Sequence, residues 1–159
     1  MNKRALLKKI ISQIEEDLES YTRAARAAHA EATDPQNKAE NKYDTRGLEA
    51  AYLAGAQSRQ AAETQNAIES FQKLALKEFK AGELIDLSAF VEVETRGERM
   101  FFFVGPSKGG LEVDHNNKEV TVITPQAPLG QQLVGRKSGD RFKWGAGPGA
   151  SEYKIVAVE

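Results

Sequence analysis

The sequence predicts an α+β fold in which an N-terminal antiparallel helical hairpin precedes a small antiparallel sheet with one short helix. The composition changes near Gly82, because ten of the thirteen glycines and four of the five prolines of the 159-residue chain follow it. The hydrophobic period changes at the same place, from helical spacing to strand-like alternation. We therefore expect two domains, residues 1–81 and residues 82–159.

The first helix carries a heptad repeat. Its seam residues alternate steps of four and three: Leu7, Ile11, Ile14, Leu18, Tyr21, Ala25 and Ala28. A repeat of this kind favours pairing with another helix. Because the seam residues become smaller along the helix, we expect the two helices to approach closely at its C-terminal end.

The second helix follows an interruption over residues 33–45. Asp34-Pro35 within it is a turn signal, since proline disfavours the helical conformation in the residue before it. Helical character resumes between Glu40 and Arg46 and continues to about Lys80. The expected seam begins with small residues and continues with large ones: Ala51, Gly55, Ser58, Ala62, Ile68, Phe71, Leu74 and Phe79. Large residues then meet at the base and small ones at the tip, as an antiparallel coiled coil requires.

The second half reads as six strands and a short helix. The expected strands are residues 90–94, 100–104, 111–113, 119–124, 141–144 and 152–158, and the helix lies within 128–135. Arg96-Gly97 predicts a hairpin turn and the glycine-rich residues 145–150 predict a loop. The run Phe101–Phe103 must turn at least one ring outward unless a second layer covers it.

Charge and composition exclude several classes of function. The 22 basic and 23 acidic residues nearly balance, which argues against duplex nucleic acid as the main ligand. The absence of cysteine excludes disulfides and thiolate chemistry. Without an apolar run of about 20 residues, we expect no membrane association and a cytoplasmic protein.

Residues 124–140, TPQAPLGQQLVGRKSGD, resemble a segment of the bacterial Gre transcript cleavage factors. In that family a strand ends in Ser-Pro, a short helix ends in Leu-Leu-Gly-Lys, and Gly-Asp opens the next strand. Residues 40–43, ENKY, are similar to the family's Glu-Asn-x-x-Tyr at the start of its second helix, with one residue fewer. The resemblance covers nearly the whole chain. It implies an antiparallel coiled coil followed by a domain related to FK506-binding proteins.

The resemblance also implies a transcription elongation factor that binds RNA polymerase. In the family, the C-terminal domain docks at the rim of the polymerase secondary channel and the coiled coil reaches the active site. Acidic tip residues there help to hold an Mg²⁺ ion that activates water for cleavage of backtracked RNA. We accordingly expect a monomer that is not itself an enzyme and has no cofactor of its own. Mg²⁺ and the RNA 3′ end are contacted only in the polymerase complex.

The acidic residues expected to serve as catalytic and metal ligands are Glu40, Asp44 and Asp34, because Mg²⁺ prefers carboxylate oxygens. Family members place an Asp and a Glu three residues apart in this turn. Aligning that Glu with Glu40 leaves Asn37, a neutral amide, at the Asp position. This departure leaves open whether the chain stimulates cleavage.

The residues expected to contact partners are Thr124, Pro125, Lys38, Lys42 and Arg46. The two residues of the C-terminal domain lie where the family touches the polymerase rim. The three bases suit RNA phosphates or the acidic channel lining, although a charge run is also typical of a solvated surface.

Other interpretations stay open at this point. The chain could be a secondary-channel regulator that competes with cleavage factors without cutting, or an adaptor that uses its coiled coil on an unrelated partner. The tip acids are equally typical of solvated loop charges. Tyr43 and Tyr52 could stack on an RNA base, but packing across the helix pair is the commoner role. A prolyl isomerase site would require an aromatic-lined cleft on the sheet.

Overall fold

The computed structural model describes residues 2–159. The chain divides into two compact units, one formed by the residues up to Ile11 together with Ser70–Glu159, and the other by Ser12–Glu69. The helices are α1 (Lys3–Thr33), α2 (Arg46–Gln72) and α3 (Pro128–Leu133), with short 3-10 turns at Pro35–Asn37 and Gly147–Gly149. The strands are β1 (Phe90–Thr95), β2 (Glu98–Val104), β3 (Glu112–His115), β4 (Lys118–Ile123), β5 (Arg141–Trp144) and β6 (Ser151–Val158). The domain boundary at residues 81 and 82 stays a prediction.

Within Ser12–Glu69, α1 and α2 form the expected helical hairpin. On α1 the predicted seam is confirmed from Ile14 onward, since Ile14 and Ala28 are buried and the seam residues between them are half-buried. At the start of α1 the buried residues are Leu6 and Ile10, one position before the predicted Leu7 and Ile11, which are half-buried. Across residues 2–159, no helix has both the length and the apolar character that a membrane span needs.

The predicted seam of α2 was wrong by one position in its first half. Ala51, Ser58 and Ala62 are exposed. One set of less exposed positions alternates steps of four and three: Ala50, Ala54, Gln57, Ala61, Thr64, Ile68 and Phe71. Gly55 of the predicted seam is half-buried. Small residues occur on every face of this alanine-rich helix, so their size alone does not mark the buried face.

The second helix is shorter than expected at both ends. It begins at Arg46 rather than near Glu40, and it ends at Gln72 rather than at Lys80. At the far end, the Lys77 N–H donates to Ser88 Oγ at 2.9 Å and the Lys77 carbonyl accepts from the Lys3 ammonium. Because both backbone groups of Lys77 are bound outside a helix, the chain runs in an irregular conformation before the sheet.

The six strands form one sheet in the order β3-β4-β2-β1-β6-β5. The expectation of a purely antiparallel sheet was wrong at one position, because β2 and β4 pair in parallel. The short β3 is placed between them in the chain and turns back into β4 through Asn116 and Asn117, both with positive φ. This hairpin returns the chain to the edge of β2 in the same direction as β2. The Arg96-Gly97 turn is confirmed, with positive φ at both residues.

Alternation along β2 resolves the three consecutive phenylalanines. Phe102 packs with the apolar cluster that contains Leu133 of α3. Phe103 is buried on the opposite face, and Phe101 on that face is half-buried. The Phe101 ring stacks on Phe90, with centroids 6.0 Å apart, and the Lys118 ammonium lies 4.4 Å from its centroid. Both faces of the sheet are therefore covered.

Gly105 follows β2 and allows a close contact with Phe71, which is fully buried. A Cβ atom at Gly105 would lie 2.9 Å from Cζ of Phe71 and 2.9 Å from Cγ1 of Val122. Atoms of this kind do not approach so closely, so any side chain here displaces the ring or the strand. The ring fixes the chain after α2 against the sheet.

We predict that Gly105→Ala lowers the free energy of unfolding by about 1–3 kcal/mol, the usual cost of overpacking. Urea unfolding followed by circular dichroism measures it. Gly109→Ala is the matched control, since a Cβ there would lie at an ordinary 3.5 Å from Thr124. In a Phe71→Leu background the cost of Gly105→Ala should fall, because the two changes share one contact. Equal costs at the two glycines would contradict this account.

Candidate functional site

The tip loop, residues 34–45, begins with a short capped turn that follows α1. The Asp34 carboxylate accepts from the Gln36 N–H at 2.8 Å and starts the short turn Pro35–Asn37. The Asn37 side-chain amide then donates to the carbonyl of Glu31 at 3.2 Å. This carbonyl belongs to the last turn of α1, whose final carbonyls lack helical partners. Asn37 thus has a structural role as a donor, which an ionised aspartate cannot perform.

Asp44 organises the second part of the tip loop. Its two carboxylate oxygens accept from the backbone N–H groups of Glu40 and Arg46, each at 3.2 Å. These hydrogen bonds, the one from Arg46 first, lower the pKa of the Asp44 carboxyl below its ordinary value. The Glu-Asn-Lys-Tyr stretch is consequently a turn that precedes α2, and our placement of it at the helix start was wrong.

Glu40 differs from the other two acids of the tip loop. Its side chain is exposed, and no described residue donates a hydrogen bond to its carboxylate. No group of three or more His, Asp or Glu side chains that could hold a metal occurs in residues 2–159. Among the three acids, Glu40 is therefore the one whose carboxylate no described residue holds, and its role toward Mg²⁺ stays a prediction.

The three bases near the tip have different surroundings. Arg46 forms an exposed ion pair with Glu31, at 3.3 Å, which links the end of α1 to the start of α2. The Lys42 ammonium lies 5.0 Å from the centroid of the Tyr43 ring. Lys38 is exposed beside the 3-10 turn. Arg46 thus helps to close the hairpin, and contact of all three with a partner stays a prediction.

We had expected the aromatic side chains of the tip to pack across the helix pair, and they do not. Tyr43 and Tyr52 are 79% and 72% exposed, and Leu48 and Leu53 beside them are more than half exposed. Sequence reasoning missed the two leucines. A seam extended backwards from Ile68 in steps of four and three excludes Leu48, Tyr52 and Leu53. This extension would have predicted that all three are exposed.

The segment expected to dock on a partner is held by a close backbone contact. Thr124 and Pro125, both half-buried, follow β4, and the Thr124 carbonyl accepts from the Ala127 N–H at 3.0 Å. A Cβ atom at Gly130 of α3 would lie only 1.9 Å from this carbonyl oxygen. The glycine of this motif is therefore required for α3 to pack on the end of β4.

The remaining part of the segment leads into β5. The Arg136 side chain donates to the Gln132 carbonyl at 2.5 Å and lies over the Phe142 ring at 5.4 Å. The Asp140 carboxylate accepts from the Lys137 N–H at 2.9 Å, which closes the turn before the strand. These contacts give the 124–140 segment one defined shape.

Asp44→Asn should loosen the tip loop without unfolding the chain. An amide has one acceptor oxygen in place of two, so either the Glu40 or the Arg46 N–H loses its partner. We expect hydrogen exchange at the affected amide to accelerate at least ~5-fold, the equivalent of about 1 kcal/mol for one hydrogen bond. NMR measures it, with Asp17→Asn on α1 as the control. Unchanged exchange at both amides would show that the carboxylate does not hold the loop.

The same hydrogen bonds set the pH dependence of the loop. Because the pKa of Asp44 is lowered, its stabilising contribution is present above the unfolded-state pKa and is lost as the pH falls through the folded-state pKa. NMR titration of the Asp44 carboxyl carbon should give a midpoint below the ordinary value of 3.8. A midpoint at or above 3.8 would contradict the assigned contacts.

A family model of known proteins matches the C-terminal half of the chain. Residues 82–159 match the family model described as "Transcription elongation factor, GreA/GreB, C-term". A search of curated proteins gave no match.

The similar solved structures include the GreA factor homolog 1 (Gfh1) protein of Thermus thermophilus, at 24% identity over 94% of both chains with a TM-score of 0.39. Gfh1 of Thermus aquaticus is 25% identical over 98% of this chain and 92% of its own, with a TM-score of 0.40. The prokaryotic transcription elongation factor GreA/GreB from Nitrosomonas europaea is 19% identical over 60% of this chain and 78% of its own, with a TM-score of 0.38. The family match confirms the resemblance of the sequence over its C-terminal half, where residues 82–159 match the C-terminal domain of the GreA/GreB transcription elongation factors.

Proposed function

We propose that this protein binds RNA polymerase and acts through it, with the hairpin tip inserted into the secondary channel. The observation that carries the proposal is the GreA/GreB C-terminal domain over residues 82–159. Thr124 and Pro125 are the proposed contacts with the polymerase rim. Their support is the packing of Gly130 against the Thr124 carbonyl, which presents them on a fixed segment.

At the tip, we propose that the protein regulates by occupying the channel and competes there with cleavage factors. Asp34 and Asp44 use their carboxylates to hold the backbone of the tip loop. Asn37 carries no charge and serves as a donor to Glu31. Only Glu40 among these residues offers a carboxylate without a described partner. One carboxylate ligand binds the Mg²⁺ ion of the polymerase complex more weakly than two would.

Stimulation of RNA cleavage is the second candidate, and the state of Glu40 and Asp44 favours it. The Glu40 carboxylate is exposed, and the Asp44 carboxylate accepts from the Glu40 N–H and so holds the backbone that carries it. Mg²⁺ in the polymerase complex would supply the activation of water. Glu40 would contribute one oxygen ligand, and Asp44 would hold the loop that carries it.

The test adds the protein to stalled, backtracked elongation complexes and follows short 3′ RNA fragments. The wild type should release few fragments and should reduce the cleavage produced by a known cleavage factor. Asn37→Asp should increase cleavage, because it adds a carboxylate three residues before Glu40, although it removes the hydrogen bond to Glu31.

Glu40→Gln should lower whatever cleavage the wild type supports by at least ~10-fold, about 1.4 kcal/mol of transition-state stabilisation, and leave the competition unchanged. Glu63→Gln, an exposed acid further along α2, is the matched control. Strong cleavage that depends on Glu40 would favour the second candidate. Strong cleavage that survives Glu40→Gln would show that the tip assignment is wrong.

A further inference from the structure

An unusual share of the exposed apolar surface lies beside the tip loop. Seven large apolar side chains in the described part of the chain are clearly exposed, and four of them fall within residues 43–53: Tyr43, Leu48, Tyr52 and Leu53. Three of these are on α2, where Leu48 and Tyr52 lie on the side away from the buried Ala50 and Leu53 lies at the flank. Apolar side chains concentrated in this way are typical of an interaction surface.

The outward face of α2 has a self-complementary sequence. Glu49, Tyr52, Ala56 and Arg59 are spaced by three, four and three residues, so they lie on one side of the helix. All four are exposed. If a second copy of α2 lies antiparallel on this face with the twofold axis at the level of Ala54, Tyr52 meets Ala56 of the second copy. Glu49 meets Arg59 of the second copy in the same register.

The charges of this face fit a second copy. No described side chain forms an ion pair with the Arg59 guanidinium. The Glu49 carboxylate accepts only the hydroxyl of Thr45, at 2.9 Å. In the antiparallel register, twofold symmetry supplies both groups with an opposite charge.

We propose that this face, Glu49–Arg59 of α2, is a self-association surface for a second copy of the chain. One helix face from each copy buries less than the ~1,000 Å² typical of stable complexes, so the dimer is weak and depends on concentration. The expected monomer is then the dilute form of a monomer–dimer equilibrium. The dimer also covers the start of α2. On the proposed function, this prevents the dimer from inserting the tip into a narrow polymerase channel.

Sedimentation equilibrium tests the association from about 5 µM to about 1 mM, the range of weak dimers. The average mass of the wild type should rise from 17.5 kDa toward twice that value. Glu49→Arg and Arg59→Glu should each raise the dissociation constant at least ~10-fold, because symmetry replaces two attractive contacts with two repulsive ones. The double variant should restore association. Glu15→Arg, an exposed change of the same charge on α1, is the control.

Cross-linking tests the register, because the chain has no cysteine of its own. A disulfide requires Cα atoms within about 7 Å of each other. A Tyr52→Cys chain mixed with an Ala56→Cys chain should therefore cross-link under mild oxidation. Tyr52→Cys alone should cross-link much less.

Three results would overturn the proposal: a monomer at 1 mM, a dimer that ignores the charge reversals, and preferential cross-linking of Tyr52→Cys with itself, which indicates a parallel pair. These measurements use the protein alone, so they are independent of polymerase binding. Self-association without polymerase binding would refute the proposed function and leave this inference intact.

Discussion

The contact between Phe71 and Gly105 is the constraint on which the rest of the larger unit depends. The N–H of Gly105 donates to the Ile123 carbonyl at 2.8 Å, which extends the parallel pairing of β2 with β4. The same residue, having no side chain, leaves the space that the fully buried Phe71 ring fills. One glycine therefore joins the end of α2 to the centre of the sheet.

The start of α1 is held in the same unit by a different interaction. The buried Lys3 donates its ammonium group to the carbonyls of Lys77 and Ser88, and it lies 4.9 Å from the centroid of the Phe79 ring. Burial lowers the pKa of Lys3, and the charges of Glu159 and Glu78 oppose that effect. These contacts explain why the first residues of the chain and residues 70–80 belong with the sheet, whereas Ser12–Glu69 forms a unit of its own.

The elements of the fold that could be predicted from the sequence are those determined by residues close together in the chain. The heptad of α1 from Ile14 onward, the Arg96-Gly97 turn and the strand 141–144 follow from spacing and turn residues, and the structure has all three. The parallel pairing of β2 and β4 could not be predicted, because alternation does not encode strand direction. The end of α2 depends on Ser88, which is distant in sequence from Lys77 and satisfies its N–H.

The tip loop shows the same limit at the level of single carboxylates. A sequence identifies Asp34, Glu40 and Asp44 as acids in one turn, but not which of them the backbone uses. In the structure two of the three satisfy backbone N–H groups and one is free. An acid near a helix start can accept from backbone N–H groups, because those groups lack helical partners. A carboxylate used in this way is less available as a ligand for a partner. The chemistry available to a partner is therefore set by the hydrogen bonds of the loop.

The proposed function requires binding of this chain to RNA polymerase. Its most direct test is the fluorescence anisotropy of the full chain, labelled at an engineered Lys143→Cys, with core polymerase in about 0.1 M salt, where exposed charges are screened beyond ~10 Å. We expect saturable binding that an unlabelled cleavage factor displaces and that Thr124→Asp weakens. The absence of binding by a folded chain, or binding that a cleavage factor does not displace, would contradict it.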